Sequence, residues 1–282
     1  MPEPTATLST LVIEKLSGGI TAIGINVPGH SQNVMNQDFM KELEQILTFL
    51  QQNPPRGLLV ESHRDDSFLA GADIGQIDTL WSLPPARVKE LCDNGRSLLN
   101  MFAASPWPSV AVIDGVCVGG GLELALACDL RIATENPKTI LGMPEVKLGL
   151  LPGWGGTVRL PRLIGTGPAI ELIASGDAIT GSQAKTLGLV DACVPIHSAR
   201  ESACAFIEQT IATEDYCKRR AESQLPQVLD KPESDFLLAT TGAVIVSRTK
   251  GNYPAPMVAF DTILQSATKS MTEAAALESK AF

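Results

Sequence analysis

Residues 115–129 read GVCVGGGLELALACD. A short apolar segment runs into three consecutive glycines, 119–121, and Glu123 follows in a second apolar segment with no Lys or Arg between 116 and 130. The pattern is that of a strand, a glycine turn and a helix opening near Leu122. Two nucleotide-binding readings fail on their own residues. Gly119 and Gly121 fit the first pair of G-x-G-x-x-G, but position 124 is Leu, and no Gly-Lys-Ser/Thr follows. What remains is a backbone that can approach a ligand closely, ahead of a helix start whose free N–H groups carry partial positive charge. Such a start suits a developing oxyanion. On spacing alone Glu123 has two readings: a first-turn charge favourable to the helix dipole, or an acid lodged in an apolar site for chemistry.

A second acid stands downstream in LGMPEVKLGLLPGWGGTVRLPRLIG (141–165), where Glu145 follows Pro144 and precedes a mostly apolar stretch. A carboxyl group in an apolar pocket has a raised pKa, which suits general acid–base work. The alternative is a surface loop acid paired to Lys147 or Arg159. A third segment, SFLAGADIGQI (67–77), is small and apolar, and its Ala70-Gly71-Ala72 run offers unobstructed backbone N–H groups. Asp73 there is expected to cap a helix.

Composition narrows the class. The 282 residues suffice for one large domain, or one domain with a helical appendage. The formal net charge is −9, and the longest basic run is Lys218-Arg219-Arg220, so a nucleic-acid surface is not expected. The six cysteines, at 92, 117, 128, 193, 204 and 217, form no CxxC pair, and with only three histidines no metal-site spacing appears. Cys117 and Cys128 read as buried thiols. MPEPTATLST has no basic segment leading into an apolar one, and no apolar run approaches a bilayer's width. A reducing, cytoplasmic setting is the expectation.

Residues 11–26 read as two strands around a Ser-Gly-Gly turn, 37–53 as an amphipathic helix, and 57–63 as a buried strand. The alternation continues: helix in 88–105, strand in 109–115, helix in 122–129, strand in 130–135, helix in 165–176, and a helix turning into a strand over 181–195. This is an α/β pattern through about residue 200. Beyond it, 200–225 and 256–282 read as helical, with proline breaks at 226, 232 and 254–256.

The segments SFLAGADI, AVIDGVCVGGGLELALACDLRIAT and PEVKLGLLPGWGGTVRLPRLIG, in that order and spacing, resemble the crotonase (enoyl-CoA hydratase/isomerase) superfamily. NVPGHSQNVMN near the start and GNYPAPMVAFDTI…EAAALESKAF at the end are similar to the N-terminal hydratase/isomerase part of the multifunctional α-subunit of bacterial fatty-acid oxidation complexes. The resemblance implies an α/β fold, a crotonase-like spiral of ββα units with a C-terminal helical region. Residues 1–200 would be the spiral core and 201–282 the linker-like helices, without the dehydrogenase region that follows in that family. It implies an acyl-CoA substrate and no separate cofactor, coenzyme A being part of the substrate. The assembly would be a homotrimer, a dimer of trimers, or a monomer or fragment of a multifunctional complex with a thiolase.

The same resemblance assigns roles. Glu123 and Glu145 match the two catalytic glutamates, one handling water and one delivering a proton to C2. The backbone N–H groups of Ala72 and Gly120 match the oxyanion hole. Substrate contacts are expected at Val34, Met35, Ala70, Gly71, Asp73, Ile74, Gly119, Pro144, Gly153 and Trp154. Adenine would lie near Ala70 and Ile74, the Val34-Met35 backbone would lie close to the pantetheine or ribose end, and Trp154 would either line the acyl pocket or anchor the core or a trimer contact. Lys15, Arg64 and Lys250 are candidates for the phosphates. The implied activity is hydration of 2-enoyl-CoA to 3-hydroxyacyl-CoA in fatty-acid β-oxidation, with secondary 3-enoyl to 2-enoyl isomerisation. The alternatives are an isomerase only, or a non-catalytic acyl-CoA-binding or assembly protein.

Overall fold

The computed structural model describes residues 8–73, 75, 79 and 81–282. Two sheets dominate it. The larger has six strands: β1 (Leu11–Lys15), β2 (Ile20–Ile25), β3 (Gly57–Ser62), β5 (Ser109–Ile113), β7 (Leu130–Thr134) and β10 (Ala192–Val194), in that spatial order. β1 pairs antiparallel to β2, and every later pair is parallel. β2, β5 and β7 are buried along their whole length, as strands covered on both faces should be. The smaller sheet has the order β4 (Ser67–Leu69), β6 (Val116–Val118), β8 (Ile140–Gly142) and β9 (Ala178–Thr180), parallel except for β9.

The chain visits the sheets alternately. β3 leads to β4, β5 to β6 and β7 to β8, and helices follow: α2 (Pro85–Ala103), α3 (Gly120–Ala127) and α4 (Gly156–Ile164). This is the crotonase-like spiral of ββα units. Its corners, where the chain crosses between sheets, are stacked and bonded to one another. Asn136 Nδ2 donates to Asp66 Oδ1 at 2.9 Å and to Asp114 Oδ1 at 3.1 Å, while Thr139 Oγ1 accepts from the Gly115 amide at 2.9 Å. A Cβ on Gly115 would lie 1.8 Å from the Asp66 carbonyl carbon, so successive coils touch through bare backbone.

The first helix, α1 (Gln37–Gln52), begins at Asn36, whose side chain accepts from the Phe39 amide at 2.8 Å. Phe39, Leu43, Ile46, Leu47 and Leu50 form its buried stripe. One expectation changes beyond residue 200. Pro232 does not break a helix; it occupies the first turn of one spanning Lys231–Leu237, where proline costs nothing because no intrahelical donor is needed. The helical run then continues through Ala243–Thr249. The C-terminal helices α11 (Ala255–Ala267) and α12 (Met271–Ala281) pack on the main core. Phe260 and Ile263 are fully buried in the same cluster as Phe39, Leu99 and Leu124.

A shared core means shared unfolding. Phe260→Ala is expected to cost about 3–5 kcal/mol. Because Trp81, Trp107 and Trp154 all precede residue 200, urea unfolding followed by tryptophan fluorescence should shift to lower denaturant together with the far-UV signal.

Candidate active site

The three parallel strands of the small sheet end side by side, and each releases a functional segment from its carboxyl end. Ala70-Gly71-Ala72 follows β4, Gly119-Gly120 follows β6, and Met143-Pro144-Glu145 follows β8. Met35 pairs with Ala72 in an isolated parallel bridge, and its amide donates to the Gly71 carbonyl at 2.8 Å. Gly71, at φ +86°, brings β4 against β6: a Cβ there would meet the Val118 carbonyl at 3.1 Å and the Gly120 nitrogen at 3.4 Å. Among the described residues neither the Ala72 nor the Gly120 amide has a hydrogen-bond partner. Gly120 is also the first residue of α3, where a free amide is expected.

Glu123 lies on the first turn of α3 and is 2% exposed. Its Oε1 accepts from the Trp154 amide at 2.7 Å and the Gly156 amide at 2.8 Å. Burial, then the neighbouring Glu145 and Glu278 charges, push its pKa well up, and the two amide bonds pull it back. Glu145 stands on a single 3-10 turn, Pro144–Leu148. Burial pushes its carboxyl up to about 7. Its Oε2 is buried without a partner, and its Oε1 would lie 3.1 Å from a Cβ on Gly119. The surface-acid reading of Glu145 is therefore corrected: Lys147 pairs with Asp177 at 2.8 Å, and Arg159 donates to the Trp154 carbonyl at 2.9 Å.

Both acids open into a cleft of about 1170 Å³. Met35, Ala70, Gly71, Ala72, Gly119, Gly120, Pro144, Gly153 and Trp154 line it with them. Trp154 lines the cleft, and its ring also fills the space over Gly95 and Gly120. Two expected contacts are not brought there. Asp73 turns back to accept from the Gly75 amide at 3.0 Å, a local cap that its short side chain favours. Val34 packs on the core instead, because adjacent residues of an extended segment point to opposite sides and Met35 takes the cleft side. Ile74 lies outside the described residues. Nor do Lys15, Arg64 or Lys250 line the cleft. Arg64 donates to the Val27 carbonyl at 2.7 Å, and among the described residues the cations at the cleft are Lys41 and Lys147.

Sequence reasoning missed two contributors, one on α12 and one just after it. Phe282 lines the cleft against Gly153. Glu278 is fully buried behind it, where its carboxylate accepts from the Gly155 amide at 2.8 Å and the Thr157 amide at 3.0 Å. The available signal was an acid four residues after Ala274, on the same face of the helix. Glu14, Glu61 and His63 form a cluster of metal-ligand types, but Arg200 binds both of its carboxylates.

Residues 15–237 match the family model described as enoyl-CoA hydratase/isomerase. The chain belongs to that family. Among curated relatives of the chain, the fatty acid oxidation complex subunit alpha of Shewanella halifaxensis is 36% identical over 276 residues, which is 97% of this chain and 38% of that protein. The Vibrio cholerae counterpart is 38% identical over 273 residues, 92% of this chain and 37% of that one. The chain thus spans under two fifths of the length of these relatives. An enoyl-CoA hydratase from Bacillus anthracis superposes with a TM-score of 0.67 at 29% identity, covering 92% of this chain and 98% of its own. Among the described residues no helix is long and apolar enough to cross a membrane, and the six cysteines are all free, Cys117 and Cys128 among the buried ones.

The raised Glu145 pKa has a stability consequence of definite sign. Below the ordinary carboxyl pKa both folded and unfolded chains hold the proton, so nothing changes. Between there and about pH 7 the folded chain binds more protons, and stability falls as pH rises. Glu145→Gln should therefore raise the unfolding free energy by roughly 2–3 kcal/mol at pH 8, after discounting for the cleft-facing side. The gain should vanish near pH 4 in paired urea titrations.

Proposed function

We propose that the chain adds water across the 2,3 double bond of 2-enoyl-CoA thioesters. The observation that carries this reading is the convergence of two differently held carboxyl groups on two unbonded amides in one apolar cleft. The thioester oxygen sits between the Ala72 and Gly120 N–H groups and accepts charge as the reaction proceeds. Glu123, anchored through Oε1, keeps its other oxygen for a water molecule. Its two amide bonds favour the ionised form, so it takes a proton from that water as oxygen attacks C3. The π electrons move to the thioester oxygen and return to C2, which takes the proton from Glu145. Proton exchange with solvent then resets the pair. Three acids crowded into one buried site cannot all ionise at neutral pH. Glu145, whose Oε2 is buried without a partner where Glu123 has two amide donors, is the natural holder of the proton.

The chemistry of 3-enoyl to 2-enoyl isomerisation needs proton transfer at C2 and C4 over the same oxyanion site, so Glu145 supports it as a secondary activity. The relatives' names place them in fatty acid oxidation, and the same use is proposed here. Partnership with a thiolase is part of that proposal.

The test is the split between the two reactions. Glu145→Gln should abolish both hydration of crotonyl-CoA and isomerisation, whereas Glu123→Gln should lower hydration by about 10²–10⁴-fold, the usual worth of a positioned acid or base, and largely spare isomerisation. Loss of the conjugated-thioester absorbance reads hydration directly. Wild-type rates in either variant would overturn the assignment.

A further inference from the structure

The turn that carries Trp154 is shared between two carboxylates. Its four successive amides alternate. Trp154 and Gly156 donate to Glu123 Oε1 at 2.7 and 2.8 Å, while Gly155 and Thr157 donate to Glu278 at 2.8 and 3.0 Å. The Thr157 hydroxyl adds a 2.6 Å bond to Glu278 Oε2. These are amides at the opening of α4, which no helical carbonyl can satisfy, and no side-chain cap supplied by Gly155 itself competes for them.

We propose that Glu278 is a positioning residue for hydration, gripping the 154–157 turn from behind and so holding the two amides that fix the Glu123 carboxylate. This rests on the hydratase reading above. Glu278 is fully buried and does not line the cleft, so it cannot touch substrate. Its helix is latched independently: Ser279 Oγ donates to Asp93 at 2.8 Å, and the Arg96 guanidinium stands 3.7 Å from Glu278 Oε1. The turn therefore has a fixed support on one side and Glu123 on the other. If that support is withdrawn, the turn relaxes toward α12, and the carboxyl that must face water loses its orientation. The proton donor Glu145 hangs from β8 and is not held by this turn.

The experiment measures hydration of crotonyl-CoA and isomerisation of a 3-enoyl-CoA in the 282-residue chain, for Glu278→Gln and Thr157→Val. Glu278→Gln is expected to lower kcat for hydration by about tenfold or more, with KM and the isomerisation kcat within about threefold of wild type. Thr157→Val keeps both amides and removes only the hydroxyl bond, so it should show the same split at about two- to fivefold. An equal fall in both reactions, or unchanged hydration, would overturn the inference. Should Glu278→Gln fail to fold, the ratio of the two activities in Thr157→Val decides alone. The outcomes separate from those of the reading beneath. Slow hydration in Glu123→Gln with wild-type hydration in Glu278→Gln sinks only the positioning role, whereas no hydration in the wild-type chain sinks the hydratase reading itself.

Discussion

The site depends on two strand ends meeting through bare backbone. A Cβ on Gly121 would sit 2.0 Å from the Leu69 carbonyl oxygen, so any side chain there would drive β4 and β6 apart. Their separation sets the distance between the Ala72 and Gly120 amides, which belong to different coils. The run of three glycines is therefore a packing requirement first. Gly121 admits the neighbouring strand, Gly120 lies under the Trp154 ring, and Gly119, at φ +56°, turns the chain beside Glu145.

Once that approach is made, electrostatics divides the labour. Glu123, Glu145 and Glu278 are all raised by burial, and each is held differently. Two have paired amides at the start of α4, where the exposed N–H groups favour negative charge. The third has an oxygen with no partner. A protein selected for stability alone would not keep an unpartnered buried carboxyl. Its retention beside two others is the kind of local conflict that marks a working site.

Much of this was legible from residue order. The long stripe of α1, the buried strands of the large sheet and the glycine run with its acid all announce themselves by period or by misplaced charge. The small sheet did not. Its strands SFL, VCV, ILG and AIT are three residues each, too short to display alternation, yet they carry the site. Val34 and Asp73 were placed by the family resemblance; the Val34 side chain packs on the core, and Asp73 bonds its own turn. Glu278 was hidden because its role is non-local, its partners lying more than a hundred residues earlier.

The spiral's corners deserve a mechanical reading. Asp66, Asp114 and Asn136 join three coils at the entry ends of β4, β6 and β8, opposite the cleft. Strands of three residues are only about 10 Å long at ~3.3 Å per residue. A slip in pitch at that seam, as in a screw with one thread displaced, would arrive at the reacting atoms almost undamped. The alignment of the donors is thus machined at the back of the molecule, by polar side chains that never meet the substrate.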